Sequence, residues 1–430
     1  MRRVLDKEKT NADAFLLQGK LYLKLDQADR ALEPIEVAIK LQVEDPLWGP
    51  PKANSFFYLG MALERVKDFK KGMQNFKKAL TIDNNHFGSC IHLANLLANL
   101  GEGQRAAKYF KHALKIDPDS VNAHFGLGKA VQQYSEDREA PIHHFEEVLK
   151  RDPMHYKALS QLGILYIDRE EHEKAAEVLK KALEVNKTFP LALVTMGNLL
   201  FETGRADRAI KYHLQALKYN DKELQALIGL GNAYYDTEKP EDAIKYYRLS
   251  LKIDENLSDV HYNLGNALYL NEQIDDAIIH YQRAISLNPK KPESFYNLGN
   301  ALCVKQEYEQ AVKNYQIALE LDPHNAPAFY NLGNALYMLN KFDESVKYYN
   351  KALEINNDSP ECHFNLASAY NDLQQYKFAI KHYRIAIDIQ EKKDRDGGVE
   401  EGKHANVDAY VCLGNVYEAI HENANAVKMY

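Results

Sequence analysis

Two rows of asparagine recur along the second half of this chain, and the carboxamide is the side chain best placed there to do chemistry. One row is Asn232, Asn266, Asn300 and Asn334; the other is Asn263, Asn297, Asn331 and Asn365, with 34 residues between neighbours in each. Tyr262, Tyr296, Tyr330 and Phe364 each stand one residue before a member of the second row, while Tyr269 and Tyr337 stand three residues after members of the first. A carboxamide both donates and accepts hydrogen bonds, so it can pair with a peptide backbone whatever the side chains are. Tyrosine adds rigid apolar area with a polar tip. The chemistry suggested is recognition of a protein segment rather than turnover of a substrate. Against that stands a purely structural role, in which the asparagines cap turns or bridge neighbouring units.

No catalytic constellation competes with this. The chain has no GxxxxGK[ST], no GxGxxG after a strand, no GxSxG and no HExxH. His143 and His144 are adjacent on one helix and cannot face one ligand together. His213 takes an aromatic slot with no second ligand at metal spacing. Cys90, Cys303, Cys362 and Cys412 lie far apart without a CxxC, against zinc and against a disulfide framework. The expectation is therefore no enzyme activity, no cofactor and no metal. The balance of 54 basic and 61 acidic residues, net −7, is mild and dispersed, which argues against a nucleic-acid surface. The start lacks an apolar signal segment and no apolar run approaches a membrane span, so neither insertion nor secretion is expected.

Asparagine is a poor helix former, so the elements that carry it need their own explanation. Phe295, Leu298 and Leu302 fall at helical spacing on one face, and Ala311, Val312, Tyr315, Ala318 and Leu319 do so in the next element. Asn288-Pro289 and Asp322-Pro323 stop second helices, because the residue before proline avoids the α region. Pro292 and Pro360 suit the first turn of new helices. The phrase His261-Tyr262-Asn263-Leu264-Gly265-Asn266-Ala267-Leu268, followed by Ala277, Tyr281, Ala284 and Pro289, recurs from Phe295 and, less completely, from Phe329. Glycine costs about 1 kcal/mol relative to alanine inside a helix, so Gly265, Gly299 and Gly333 predict points where two helices cross closely.

A 34-residue period with a Leu-Gly pair, a small residue, an aromatic and a second small residue resembles the tetratricopeptide repeat (TPR) family. The resemblance covers nearly the whole chain. It implies an all-α, right-handed superhelix of eleven helix-turn-helix repeats plus a partial twelfth. The repeats are expected at 12–52, 53–86, 87–120, 121–155, 156–189, 190–223, 224–257, 258–291, 292–325, 326–359 and 360–389, with the partial unit at 407–430. A lead-in occupies 1–11, a turn-rich loop holding the only Trp lies near 44–51, and a charged insert occupies 390–406, as a solvated loop or a longer helix fraying into one. The last unit stops at Tyr430 with no polar cap after it, which predicts that the chain continues.

In that family, certain positions of each first helix line a concave groove. Carried over, they make Asn232, Tyr262, Asn263, Asn266, Tyr269, Tyr296, Asn297, Asn300, Tyr330, Asn331, Asn334, Tyr337, Phe364 and Asn365 the candidate peptide-binding residues. A carboxylate clamp needs basic partners that these repeats lack; Lys20, Lys24 and Arg65 on the first two repeats are the better candidates for an acidic ligand. The resemblance implies a non-catalytic interaction scaffold whose partners are other proteins, with self-association compatible. Two alternatives stay open. One is the substrate-recruiting arm of a transferase, since the asparagine-rich groove is similar to that of O-GlcNAc transferase. The other is a structural subunit of a large assembly, such as a ciliary or cell-cycle complex. An intracellular, cytoplasmic location is expected, with nuclear or ciliary sites also open.

Overall fold

The computed structural model describes residues 11–44, 50–397 and 407–429. The tip of the loop holding the only Trp, the end of the charged insert and Tyr430 lie outside these residues. Among the described residues there are 24 helices and no strand. They alternate as first and second members of antiparallel pairs. First helices begin at Ala12, Ala53, Phe87, Val121, Tyr156, Pro190, Leu224, Ser258, Pro292, Ala326, Pro360 and Val407.

Local chemistry explains the starts. The side chains of Asn11, Ser120, Asn325 and Ser359 each accept the N–H three residues on, satisfying a helix-end donor. His86 and His155 cap in the same way through Nδ1. Pro190, Pro292 and Pro360 open their helices, where the missing N–H costs nothing. Within every described pair but the fourth, the turn carries a left-handed residue. In repeat nine this is Gln306 (φ 62°), after which Glu307 N–H reaches back to the Leu302 carbonyl. Nine such positions are not glycine.

Packing explains the pairs. In six repeats a first-helix glycine sits under an aromatic ring of its own second helix, while Gly19 and Gly163 meet Ile35 and Leu179 instead. A Cβ on Gly265, Gly299 or Gly333 would lie 2.6 Å from the ring of Tyr281, Tyr315 or Tyr349. The sequence predicted a close backbone crossing at these glycines; the structure shows instead that the space is taken by a tyrosine ring. Phe76 over Gly60 and Phe145 over Gly128 repeat the device, and all these aromatics are buried. Ala277, Ala311 and Ala284 are fully buried beside them.

The chain divides into two compact units, Met1–Thr203 and Gly204–Tyr430. In the second unit one apolar core runs from Ala243 to Ala369 through successive pairs, as stacked repeats require. His213 is fully buried in its aromatic slot with neither ring nitrogen bonded, and burial pulls its pKa down to about 4, so it is a neutral core residue. The second helix of repeat eleven runs 22 residues, Tyr376–Gly397. The expected insert loop is therefore helical through 397, the longer-helix alternative. No helix among the described residues is long and apolar enough to cross a membrane.

Candidate functional site

The asparagine rows lie on the first helices of repeats seven to eleven, and the structure joins them into one hydrogen-bonded ladder. Within each repeat the buried tyrosine of the second helix donates its hydroxyl to the first-row asparagine. Tyr247 reaches Asn232 at 2.7 Å, Tyr281 reaches Asn266 at 2.9 Å, Tyr315 reaches Asn300 at 2.8 Å and Tyr349 reaches Asn334 at 2.8 Å. The same Oδ1 then accepts from the second-row asparagine of the following repeat. Asn263 donates to Asn232 at 3.2 Å; Asn297, Asn331 and Asn365 donate to Asn266, Asn300 and Asn334 at 2.9 Å. The second-row amides also donate to the preceding repeat's tyrosines: Asn297 to Tyr262 and Asn331 to Tyr296 at 3.1 Å, and Asn365 to Tyr330 at 2.9 Å.

Each repeat is thus stitched to the next through polar groups that desolvation would otherwise penalise. A buried hydroxyl without a partner costs about 1–3 kcal/mol, which accounts for asparagine at helical positions its propensity disfavours. Burial holds the phenols of Tyr281, Tyr315 and Tyr349 protonated far above the ordinary tyrosine range, so they stay donors. The ladder ends where the sequence changes. Ser368 takes the first-row place and meets Tyr383 at 2.9 Å, while Cys412 stands where the next second-row asparagine would be.

Half of each carboxamide is left over. Among the described residues no hydrogen bond uses Nδ2 of Asn266 or Asn300, or Oδ1 of Asn297, Asn331 or Asn365, while the Asn334 side chain also meets Tyr330; all these residues are half-buried rather than sealed. Tyr262, Tyr296, Tyr330 and Phe364 pack against or beside the core with one face outward. Tyr269 is 36% exposed and Tyr235, at the matching place in repeat seven, 38%. Tyr337 instead donates to Asp372 of the next repeat at 2.6 Å, and burial followed by that carboxylate pushes its pKa up to about 12. At the C-terminal end of the ladder, Tyr330, Phe364 and Asn365 line a cavity of about 320 Å³ closed by Pro360, Gln390 and Asp408. The ladder's bonds join eleven of the fourteen candidate residues, Phe364 lines the cavity with two of them, and Tyr269 and Tyr337 make no bond to the ladder among the described residues. The basic candidates Lys20, Lys24 and Arg65 lie in the first unit, where Lys20 sits over the Tyr58 ring and Arg65 is spent on the Leu23 carbonyl and Asp26.

Two features emerge only from the structure. Tyr247, Tyr281, Tyr315 and Tyr349 both pack in the core and donate to asparagine, at a fixed 15-residue spacing. Three histidine pairs also form between the helices of one repeat: His124 with His144, His261 with His280 and His363 with His382, at 3.4, 2.9 and 3.0 Å between Nδ1 atoms. No group of three or more potential metal-ligating side chains occurs among the described residues.

Family models described as tetratricopeptide repeat match residues 53–86, 87–120, 131–189, 189–256, 326–359 and 360–393, and one described as TPR repeat matches 265–303 and 299–340. The chain is 29% identical over 133 residues to the CTR9 homolog of Arabidopsis thaliana, covering 30% of this chain and 12% of that protein. It is 28% identical over 115 residues to anaphase-promoting complex subunit 3 of Schizosaccharomyces pombe, covering 27% of this chain and 16% of that one. The solved structure of YrrB, titled a TPR protein with an unusual peptide-binding site, is 28% identical with a TM-score of 0.39, covering 42% of this chain and 93% of that one. The similarity thus spans well under a fifth of the length of these two curated relatives.

Proposed function

This chain belongs to the tetratricopeptide repeat family, and we propose that it is a non-catalytic interaction scaffold that holds an extended segment of a partner protein along the first helices of repeats seven to eleven. The supporting observation is the half-used ladder. The bonds inside the chain fix every asparagine in one orientation, and the leftover donors and acceptors recur once per repeat beside outward-facing aromatic surface. Preorganised donors and acceptors lose little side-chain entropy on binding. A peptide backbone satisfies them without regard to its sequence, while the cavity at Tyr330 and Phe364 selects one side chain.

The test is to pan a displayed peptide library on the full chain, with a Tyr235→Ala/Tyr269→Ala/Phe364→Ala variant as the counter-target. These side chains make no hydrogen bond to the ladder, so the variant keeps its repeats joined. Peptides enriched on the native chain and weakened at least about tenfold on the variant support the proposal, since aromatic anchors dominate such contacts. Peptides held equally by both would refute it.

A second reading is a subunit of a large assembly, favoured by similarity to a protein whose name is that of a complex subunit and by exposed Ile279 and Phe378 on second helices. Loss of co-purification with a defined assembly on Ile279→Glu/Phe378→Glu, with the peptide surface untouched, would favour it.

A further inference from the structure

The strongest unassigned feature lies in the first unit, on second helices rather than first ones. Between residues 67 and 115 the sequence carries nine Lys or Arg against three Asp or Glu, in a chain whose net charge is −7. The helices Phe69–Ile82 and Gly103–Ile116 bring part of this charge to a single cleft of about 590 Å³. Its rim is Lys77, Arg105, Lys108 and His112, and its floor includes Leu80 and Tyr109. The His112 Nε2–H donates to the Asn84 carbonyl at 2.7 Å, and both residues line the cleft. Thr81 is occupied with the Lys77 and Lys78 carbonyls of its own helix.

The cations here lack the carboxylates that comparable helices supply. Further along the same unit, Lys150 and Arg151 pair with Glu147, Lys174 with Glu171 and Lys181 with Glu177. In the cleft Arg105 meets Glu102, but among the described residues Lys77 and Lys108 form no ion pair, nor do the neighbouring Lys111 and Lys115. All four lysines are exposed. Two unpaired lysines and an arginine around a floor that includes Leu80 and Tyr109 make a mixed surface. It complements carboxylates that flank one apolar side chain.

We propose that this cleft is a docking site for a carboxylate-rich segment of a partner protein, which lays Asp or Glu against Lys77, Arg105 and Lys108 and seats one apolar side chain on Leu80 and Tyr109. The apolar floor and the single-cleft shape favour this ligand over a phosphodiester backbone, which needs basic charge in an extended track. The chain's overall negative charge also opposes a polyanionic duplex or membrane, whereas a short segment feels mainly the local cations within about 10 Å at ordinary salt. The proposal is independent of the peptide surface on repeats seven to eleven.

The test is fluorescence anisotropy with the full chain and a labelled peptide of alternating Asp and Glu around one central Leu, beside a Gln/Asn analogue. Binding of the acidic peptide at least about tenfold tighter than the analogue is expected, with a further loss as salt rises. Lys77→Glu/Lys108→Glu is expected to weaken it about tenfold or more, with unchanged helicity since both side chains are exposed. The milder Lys77→Gln/Lys108→Gln variant is expected to weaken it about threefold. Equal binding of both peptides, or no effect of either variant, overturns the proposal. So does tighter binding of a duplex oligonucleotide or of phosphatidylserine vesicles with the same dependence on Lys77 and Lys108, which would assign the cleft to those surfaces instead.

Discussion

Asn266 offers the sharpest test of the ladder. The hydroxyl of Tyr281 is 1% exposed as a residue and donates to Asn266 at 2.9 Å; Asn297 of the next repeat donates to the same oxygen. Tyr315 would be a poorer choice, because Cys303 Sγ stands 3.5 Å from its hydroxyl and can take over the bond. In Asn266→Ala the Tyr281 hydroxyl is left without an acceptor, which costs about 1–3 kcal/mol. Asn297 keeps its bond to Tyr262, so its share of the loss is small. Tyr281→Phe removes donor and need together and is expected to cost about 1 kcal/mol or less. In the double variant no orphan remains, so its cost should fall short of the sum of the singles by about 1 kcal/mol, a coupling typical of groups in one network. Because a repeat array opens locally, the assay is native-state hydrogen exchange over repeats eight and nine rather than a global melt. Strictly additive costs, or less than about 0.5 kcal/mol for Asn266→Ala, would refute the claim that the asparagines join the repeats.

Gly299→Ala places a Cβ 2.6 Å from the Tyr315 ring and should destabilise repeats eight to ten by about 1–3 kcal/mol, read as faster exchange there and unchanged exchange in repeats one to four. Gln306→Gly should stabilise repeat nine by about 0.5–1 kcal/mol, since glycine adopts its φ of 62° without the Cβ penalty, as slowed exchange would show. His280 is held down to about 4 by burial first and then by His261, against an ordinary 6.5. The unfolded chain therefore binds the proton more readily, so stability is present above pH 6.5 and falls as pH drops toward 4, by on the order of 1–3 kcal/mol for this site. Urea denaturation across that window should show a shallower fall for His280→Gln. Cys362 is buried and its thiol is pushed up to about 12 by burial, so it should resist iodoacetamide in the native state and react once unfolded.

Much of this was legible in the residues themselves. The spacing of Phe295, Leu298 and Leu302, the recurrence of Gly265, Gly299 and Gly333, and prolines at helix starts specify paired helices, because helical period and turn chemistry are local properties. The identity of the candidate residues was equally open to inspection, since they repeat every 34 positions. Other features came only with the fold. That Gly299 is small for the sake of the Tyr315 ring, and that Asn297 reaches back to Asn266 and Tyr262, depends on where one repeat stacks on the last. The left-handed turns at Gln306 and Asn340 carry no glycine to announce them. The meeting of Lys77 with Lys108, and of His261 with His280, joins residues that share no short motif. Period and composition decide which element forms; which polar atoms are satisfied, and which are left over for a partner, is decided by the distances that stacking sets.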